Sequence, residues 1–249
     1  MKSKFILFII NVLIVQSLIG QQQGVITYNE VFKLDIQIEG ISEEMLSMIP
    51  KTQSVKKELL FNKSESVFQN LKGEVTEDFD MSSDDGSFQI KIMMDDDVED
   101  ILYKNQKSKS IVHQKGIMGK PFVVEEDLEK IKWKITPEKV KYLDYECQKA
   151  VLENEDEFVV AWFTSQIPVQ VGPSSYHGLP GAILMVSVDD GKVEFKATKV
   201  ELKELEADAF SVPKKGKKVS ADEFDKIQKE KEEELMKMHT RTETRSIGH

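Results

Sequence analysis

Apolar and polar residues alternate along much of the chain with a period of two, the pattern of strands that bury one face. The clearest run covers residues 32–38, and the pattern returns at 88–92 and 193–198. In the last run the apolar positions change parity near Lys199, because Val200 and Leu202 continue on the other face. A change of parity within one strand indicates a β-bulge or a strong local twist.

Two further runs, 158–163 and 183–188, are apolar on both faces, which is typical of strands covered on two sides. We expect these strands at the centre of the core. Residues 189–192 carry the Asp-Gly signal of a tight hairpin, and no helix of useful length separates the successive strands. The pattern therefore predicts a mainly β fold: a single domain with a curved antiparallel sheet or a half-open barrel, and short helices.

The remaining segments predict connections and a helical C-terminus. Residues 41–49 favour a short helix, and the acidic stretch 73–86 favours a loop. Residues 213–218 have the composition of an exposed basic linker, and Ser220 with Glu223 forms a capping box at the start of a helix. We therefore expect a β-rich domain over 21–212, followed over 213–249 by the linker, a C-terminal helix and a disordered tail in the last ten residues.

Residues 1–20 have the pattern of a secretory signal peptide. Lys2 and Lys4 precede an apolar run over 5–15, and small and polar residues follow before Gln21. The run is shorter than the ~20 apolar residues that cross a membrane, and no second apolar segment follows. We expect cleavage near Gly20, export to the periplasm or the exterior, and no transmembrane segment in the mature chain.

Composition narrows the classes of partner and cofactor. The chain has 34 lysines and arginines against 44 aspartates and glutamates, which argues against nucleic acid because phosphate binding depends on cations. Acidic runs at 84–85 and 95–100 offer oxygen ligands for calcium, but neither has EF-hand spacing. The chain also lacks paired-cysteine and HExxH signatures. We therefore predict no cofactor and no metal.

Cys147 is the only cysteine, so no internal disulfide stabilises the fold. It lies in a predicted strand over 141–152, where a free cysteine usually behaves as a small buried hydrophobe. Lys149, two residues along the same strand, is the only local feature that favours a reactive thiolate. We expect an inert thiol, with Lys149 covering the sheet rim or pairing with a carboxylate.

The most specific sequence lies between the two runs that are apolar on both faces. Gly172-Pro173 and Gly178-Leu179-Pro180-Gly181 combine prolines of fixed φ with glycines that adopt positive φ or admit another backbone. Such a segment is a rigid turn packed on the core, or a binding loop in which Tyr176, His177 and backbone N–H groups meet a ligand. Ser174 or Ser175 with His177 offers a hydrolytic alternative, although proximity in sequence says little about hydrogen-bond geometry.

Several motifs occur in a characteristic order: 26–28, 60–66, 103–105, 133–136, 147–150, 161–164, 167–168, 172–173 and 178–184. Together they resemble the GLPGLI family, exported proteins of the Bacteroidetes phylum, over most of the mature chain. The resemblance implies an envelope or secreted protein of uncertain biochemical role, in a family without established catalytic residues. The motif and candidate binding-loop residues are Cys147, Lys149, Ala161, Trp162, Phe163, Ile167, Pro168, Gly172, Pro173, Tyr176, His177, Gly178, Leu179, Pro180, Gly181, Ile183 and Leu184.

These observations predict an exported, non-catalytic cell-envelope protein that binds a small ligand or another envelope protein. We place residues 172–184 at or beside the binding edge. Two alternatives stay open. One is a serine hydrolase or peptide-processing enzyme, and the other is a structural accessory of an outer-membrane complex.

Overall fold

The structure is a computed structural model that describes residues 22–34, 47–73, 79–82, 89–92, 98–153 and 157–246. The predicted signal peptide lies outside the described residues. So do most of the predicted helix at 41–49, positions 35–38 of the first alternating run, and the acidic residues 84–85 and 95–97.

The chain folds mainly into β-strands. Twelve of the described strands form one sheet, in the order β14-β8-β7-β6-β3-β2-β1-β13-β12-β11-β10-β9, and β4 pairs with β5 in a second sheet. Every pairing is antiparallel except that of β14 with β8. The bounds are β1 Gly24–Lys33, β2 Thr52–Phe61, β3 Glu65–Asn70, β4 Phe79–Ser82, β5 Gln89–Ile92, β6 Ile101–Asn105, β7 Ser110–Ile117, β8 Lys120–Asp127, β9 Lys134–Tyr142, β10 Tyr145–Glu153, β11 Phe158–Thr164, β12 Ala182–Val188, β13 Val193–Leu202, β14 Lys217–Val219 and the helix α1 Ala221–Ser246.

The connection from β8 to β9 requires the large sheet to curve strongly. β8 is second in the strand order and β9 is last, so a flat sheet would separate them by about 48 Å at about 4.8 Å per strand. Residues 128–133, which we call the crossing segment, join the two strands and reach at most about 25 Å when fully extended. The sheet therefore folds towards itself without closing into a barrel, which confirms the predicted fold class.

The two local sequence signals around β13 are confirmed. Thr27 of β1 pairs with Lys199 while Tyr28 pairs with Ala197, so Thr198 is the extra residue of a β-bulge. The turn at 189–191 links β12 to β13 in a hairpin, and all three of its residues have positive φ. Antiparallel pairing and a bulge thus follow from the pattern that the sequence displays.

The core lies where the two apolar runs predict it. Val159, Ala161 and Phe163 of β11 and residues 182–184 of β12 are buried in the largest apolar cluster. That cluster also includes Tyr28, Leu59, Phe68 and Leu102 from the other half of the sheet, and we call the face that carries these side chains the inner face. Because one cluster spans both halves, the inner face is covered. Phe158 at the start of β11 is an exception, with 38% of its surface exposed.

The secondary structure predicted for two segments is wrong, because turns and strand pairing override the preference that composition indicates. The predicted strand over 141–152 is divided by a turn in which Leu143 and Asp144 have positive φ, and β9 and β10 pair on either side of it. The predicted loop over 73–86 contains β4, which pairs with β5. Phe79 and Met81 alternate with Asp80 and Ser82 in β4, but a run of four residues is too short for periodicity to distinguish a strand from a loop.

The C-terminal region is more ordered than composition predicts. Lys217–Val219 of the expected linker forms β14, which adds in parallel to the edge of β8. The Ser220 half of the capping box is confirmed by a 3.2 Å bond from the Glu223 N–H to Ser220 Oγ, whereas the Glu223 carboxylate accepts a bond from Lys217 Nζ (2.8 Å) instead of the Ser220 N–H. α1 continues to Ser246, which corrects the predicted disorder for residues 240–246. Among the described residues, no helix combines the length and apolar character needed to cross a membrane.

Candidate functional site

Residues 165–181, which we call the Gly/Pro loop, form part of the core. Ile167, Val169, Val171 and Leu179 are buried in the same cluster as the strands. The loop is fixed at its ends, since the N–H of Ala182 donates to the Ile167 carbonyl (3.0 Å) and that of Ile183 to the Val171 carbonyl (2.9 Å). This arrangement matches the first of the two sequence alternatives, a rigid segment packed on the core.

The three glycines of the loop serve different geometric needs. Gly178 has a φ of +87°, and a Cβ there would meet nothing within 4 Å. At Gly181 a Cβ would lie 2.0 Å from the Thr164 carbonyl oxygen, and at Gly172 it would lie 2.6 Å from the Tyr176 carbonyl oxygen. Gly178 therefore permits a left-handed turn, whereas Gly172 and Gly181 permit close approach of another backbone.

A buried lysine anchors the loop to the inner face. Lys104 of β6 shares this face with Leu102 by strand alternation, and it is 1% exposed. Its ammonium donates to the carbonyl oxygens of Gly172 (3.2 Å) and Ser174 (2.5 Å). Burial lowers the pKa of Lys104 to about 7. Lys104 is not among the predicted site residues and belongs only to the motif over 103–105, although period-two alternation places it on the covered face.

The crossing segment packs against the same loop. Trp133 at its end donates from Nε1 to the His177 carbonyl oxygen at 2.8 Å, and its ring centroid lies 6.4 Å from that of Tyr176. On the other side, the Tyr28 hydroxyl donates to the Ile183 carbonyl oxygen just after the loop. The loop is thus held between the sheet and the crossing segment.

Two adjoining clefts open where the crossing segment meets the loop. The first has a volume of about 710 Å³ and the second about 760 Å³, both within the ~300–1,000 Å³ range of small-molecule sites. Glu129, Lys130, Ile131 and His177 line both clefts, so these four residues form the boundary that the two clefts share.

The two clefts differ in charge. The first, which we call the basic cleft, has Lys109 and Lys130 against Glu129. The second, which we call the acidic cleft, has the carboxylates of Glu126, Asp127, Glu129 and Glu157 against Lys130 and Lys132. Tyr176 lies in the acidic cleft, where its hydroxyl donates to Glu157 Oε2 at 3.0 Å.

His177 is the buried member of the four residues that line both clefts. It is 6% exposed and lines both clefts, and its only hydrogen bond to a described residue uses the backbone carbonyl. Burial, together with the charge of Lys104, lowers the pKa of His177 to about 4. The imidazole is therefore neutral at physiological pH and offers one N–H donor and one nitrogen acceptor without a described partner.

The serine hydrolase alternative finds no geometric support in the loop. Neither the Ser174 nor the Ser175 hydroxyl bonds to the His177 ring among the described residues, and Ser174 contributes its carbonyl oxygen to Lys104. Tyr176 donates to a carboxylate, and its pKa is raised by burial and by the neighbouring charge of Glu157. Proximity in sequence therefore does not produce a nucleophile and base pair here.

Cys147 and Lys149 do not line either cleft. Cys147 is fully buried, and burial raises the pKa of its thiol to about 11, which makes it an inert core residue. Lys149 forms a 3.0 Å ion pair with Glu138, as one of the sequence alternatives expects. The ladder between β9 and β10 shifts between Gln148 and Ala150, which is why Cys147 and Lys149 do not behave as members of one regular face.

The other motif residues divide between packing and exposure. Pro168 and Pro180 are exposed, Trp162 is half-buried, and the remainder of this set is buried: Ala161, Phe163, Ile167, Gly172, Pro173, Leu179, Gly181, Ile183 and Leu184. Gly178 is exposed and lines the basic cleft. Of the motif residues, Tyr176, His177 and Gly178 are the ones that reach the clefts.

A second group of charges lies on the inner face and is absent from the sequence predictions. Lys57 Nζ is 2.9 Å from Asp100 Oδ2 and 3.8 Å from Glu30 Oε2, and His113 Nε2 is 2.7 Å from Asp100 Oδ1. Burial raises the pKa of Glu30 to about 7 despite the nearby Lys57. For Asp100, burial is outweighed by the bonds from His113 and Lys57, which hold its pKa well below the usual range.

These charges neutralise one another, so we interpret the group as a structural network. Asp100 belongs to the acidic run that offers calcium ligands, but its two oxygens face Lys57 and His113 instead. Within the described part of the chain, no cluster of three or more His, Cys, Asp or Glu side chains is arranged to hold a metal ion.

Comparison with known proteins gives a short family match and a likeness of fold. The model of a family described as "Protein of unknown function (Porph_ging)" matches residues 152–185, which comprise the end of β10, β11, the Gly/Pro loop and the start of β12. This match supports a family of the Bacteroidetes type, and membership of the GLPGLI family stays a prediction. No curated protein matches the chain.

Two crystal forms of PNGF-II share the fold. The form in space group P21 gives a TM-score of 0.54 at 17% identity, and the C2 form gives 0.53 at 18%. Each match covers 85% of this chain and 34% or 33% of the PNGF-II chain. This chain therefore spans about one third of the length of PNGF-II, and at this identity the likeness concerns the fold alone.

Proposed function

We propose that this protein is an exported cell-envelope protein that binds a small polar ligand, without catalysis, in the two clefts that meet at His177. Export rests on the signal-peptide pattern of residues 1–20. The observation that carries the binding role is His177 itself: a buried, neutral imidazole with no described side-chain partner, at the junction of both clefts.

The Gly/Pro loop has a supporting role in this proposal. Its apolar residues fill the inner face, so a ligand carried inside an open apolar sheet is not the favoured arrangement. Lys104 fixes the loop backbone at Ser174, and Trp133 fixes it at His177. A site held in this way is preorganised, which lowers the entropic cost of binding.

Trp133 provides the test, because its indole bonds to the His177 carbonyl. The chain has two tryptophans, so Trp162→Phe leaves Trp133 as the only indole reporter. We would titrate this variant with amino acids, short peptides, oligosaccharides and inorganic phosphate while recording fluorescence. A saturable change with one class of solute supports the proposal.

Two further variants assign the change to the clefts. In the Trp162→Phe background, Lys130→Met removes a charge shared by both clefts, whereas Lys203→Met removes an exposed charge just after β13 as a matched control. Binding should weaken in the first and persist in the second. Equal effects of the two variants, or no saturable response to any solute, would contradict the proposed site.

A further inference from the structure

The two clefts around His177 carry opposite charge, and this asymmetry constrains what fits across them. The basic cleft contributes Lys109 alone beyond the residues shared by both clefts. The acidic cleft contributes three carboxylates, Glu126, Asp127 and Glu157, with Lys132. The shared charges, Glu129 and Lys130, offset each other, so the difference in sign comes from the unshared residues.

Several of these charges have no counter-ion in the described part of the chain. Lys109, Lys130 and Lys132 form no ion pair there, although ten other lysines of the strands and α1 each lie within 4.0 Å of an acidic partner: Lys57, Lys139, Lys141, Lys149, Lys196, Lys199, Lys217, Lys218, Lys226 and Lys231. Glu126, Asp127 and Glu129 are likewise outside the described ion pairs. Charges that the fold leaves unpaired beside a cleft are available to a ligand.

The neutral imidazole of His177 is an independent indication of a ligand. It is more than nine-tenths buried, makes no described side-chain hydrogen bond and lines both clefts. The His177 ring nitrogens are not among the side-chain atoms that are closed off from solvent without a partner, so they open into the clefts, where they favour a ligand that both accepts and donates hydrogen bonds. A peptide group does both.

We propose that the ligand is a short peptide with free ends that spans the two clefts, its carboxylate in the basic cleft beside Lys109 and its ammonium group in the acidic cleft beside Glu126 and Asp127. This inference rests on the proposed function and specifies the class of ligand. A peptide bond lies at the junction, opposite the His177 ring. In the acidic cleft, the Tyr176 hydroxyl orients the Glu157 carboxylate by donating to its Oε2.

Oligoglycines test the inference because they have no side chains and differ only at their ends. Tetraglycine and hexaglycine with free termini, their N-acetylated forms, their C-amidated forms and the doubly blocked forms are titrated into the Trp162→Phe variant. We expect each blocked end to weaken binding about two- to fivefold, the range of an exposed ion pair. The difference should diminish at high salt.

Charge variants then assign each end to its cleft. Lys109→Met should abolish the preference for a free carboxylate over its amide and leave the preference for a free amine. Glu126→Gln combined with Asp127→Asn should do the reverse. All three residues are exposed, so these variants are expected to fold, and Lys203→Met is the matched control.

The results separate this inference from the proposed function. If doubly blocked peptides bind as tightly as free ones, or if only an oligosaccharide or phosphate changes Trp133 fluorescence, the peptide assignment is overturned while the site stands. If no solute produces a saturable change, both fail. Loss of carboxylate preference in Lys203→Met as well as Lys109→Met would also overturn the assignment.

Discussion

Gly181 provides the sharpest test of the role of the Gly/Pro loop in the fold. A Cβ at this position would lie 2.0 Å from the Thr164 carbonyl oxygen and 3.0 Å from Ser165 Cα. Both are backbone atoms at the end of β11, so no side chain can rotate away to make room. Gly181→Ala therefore requires a backbone shift inside the core, where the next residue, Ala182, bonds to Ile167.

We expect Gly181→Ala to lower the free energy of unfolding by about 3 kcal/mol or more, at the upper end of the costs of overpacking. Gly178→Ala is the matched control. Its Cβ would meet nothing within 4 Å, so its cost is that of a left-handed alanine, about 1–2 kcal/mol. The two substitutions add the same methyl group three residues apart, and therefore isolate close approach from backbone strain.

Equilibrium unfolding in urea, followed by circular dichroism, measures both values. Because ~1.4 kcal/mol corresponds to a tenfold change in an equilibrium constant, the predicted difference is readily resolved. Gly181→Ala and Gly178→Ala with equal free energies of unfolding would refute the packed arrangement of the loop. A Gly181→Ala variant that keeps the free energy of unfolding and the m-value of the wild type would also refute it.

Three other predictions concern the network, the thiol and the helix. Glu30 has a pKa of about 7 in the folded protein against an ordinary 4.5, so the free energy of unfolding falls as the pH rises from 4.5 to 7. Over that interval the stability of Glu30→Gln should rise by about 2–3 kcal/mol relative to that of the wild type. The same difference between the two proteins in urea unfolding at both pH values would contradict this. The Cys147 thiol is buried with a pKa raised to about 11, so Ellman's reagent should label it in urea but hardly in the native protein. Rapid labelling of the native protein would contradict the interpretation that the thiol is inert. Phe224→Ala removes a ring 5.7 Å from that of Phe122 and should cost about 3 kcal/mol while exposing α1 to proteolysis; unchanged protease resistance would show that α1 does not depend on this contact.

Local features of the fold are those that the sequence predicts best. The hairpin at 189–191, the bulge at Thr198 and the cap at Ser220 each arise from a few neighbouring residues. By contrast, the crossing segment joins strands at opposite ends of the sheet order. No residue pattern within the crossing segment predicts this connection, because the path of the segment depends on how the whole sheet curves.

The candidate site is only partly predictable for the same reason. Tyr176 and His177 stand out beside the glycines and prolines, but the lysines and carboxylates of the clefts come from the turn before β7, the end of β8, the crossing segment and the residue before β11. Strand register likewise brings together the charges around Lys57 and Asp100. Lys57 lies opposite Tyr28, and His113, which contacts Asp100, lies opposite Leu102. Such contacts connect distant parts of the chain and have no local signature.

The central claim is that a ligand occupies the clefts at His177, and native mass spectrometry of the protein isolated gently from the cells that make it tests it most directly. The account predicts a small added mass on wild type and on Lys203→Met, which is lost in His177→Phe and in Lys130→Met. Urea unfolding of the same samples checks that His177→Phe is folded. An added mass that both cleft variants retain, or a stable complex with a second protein and no small molecule, would contradict the account.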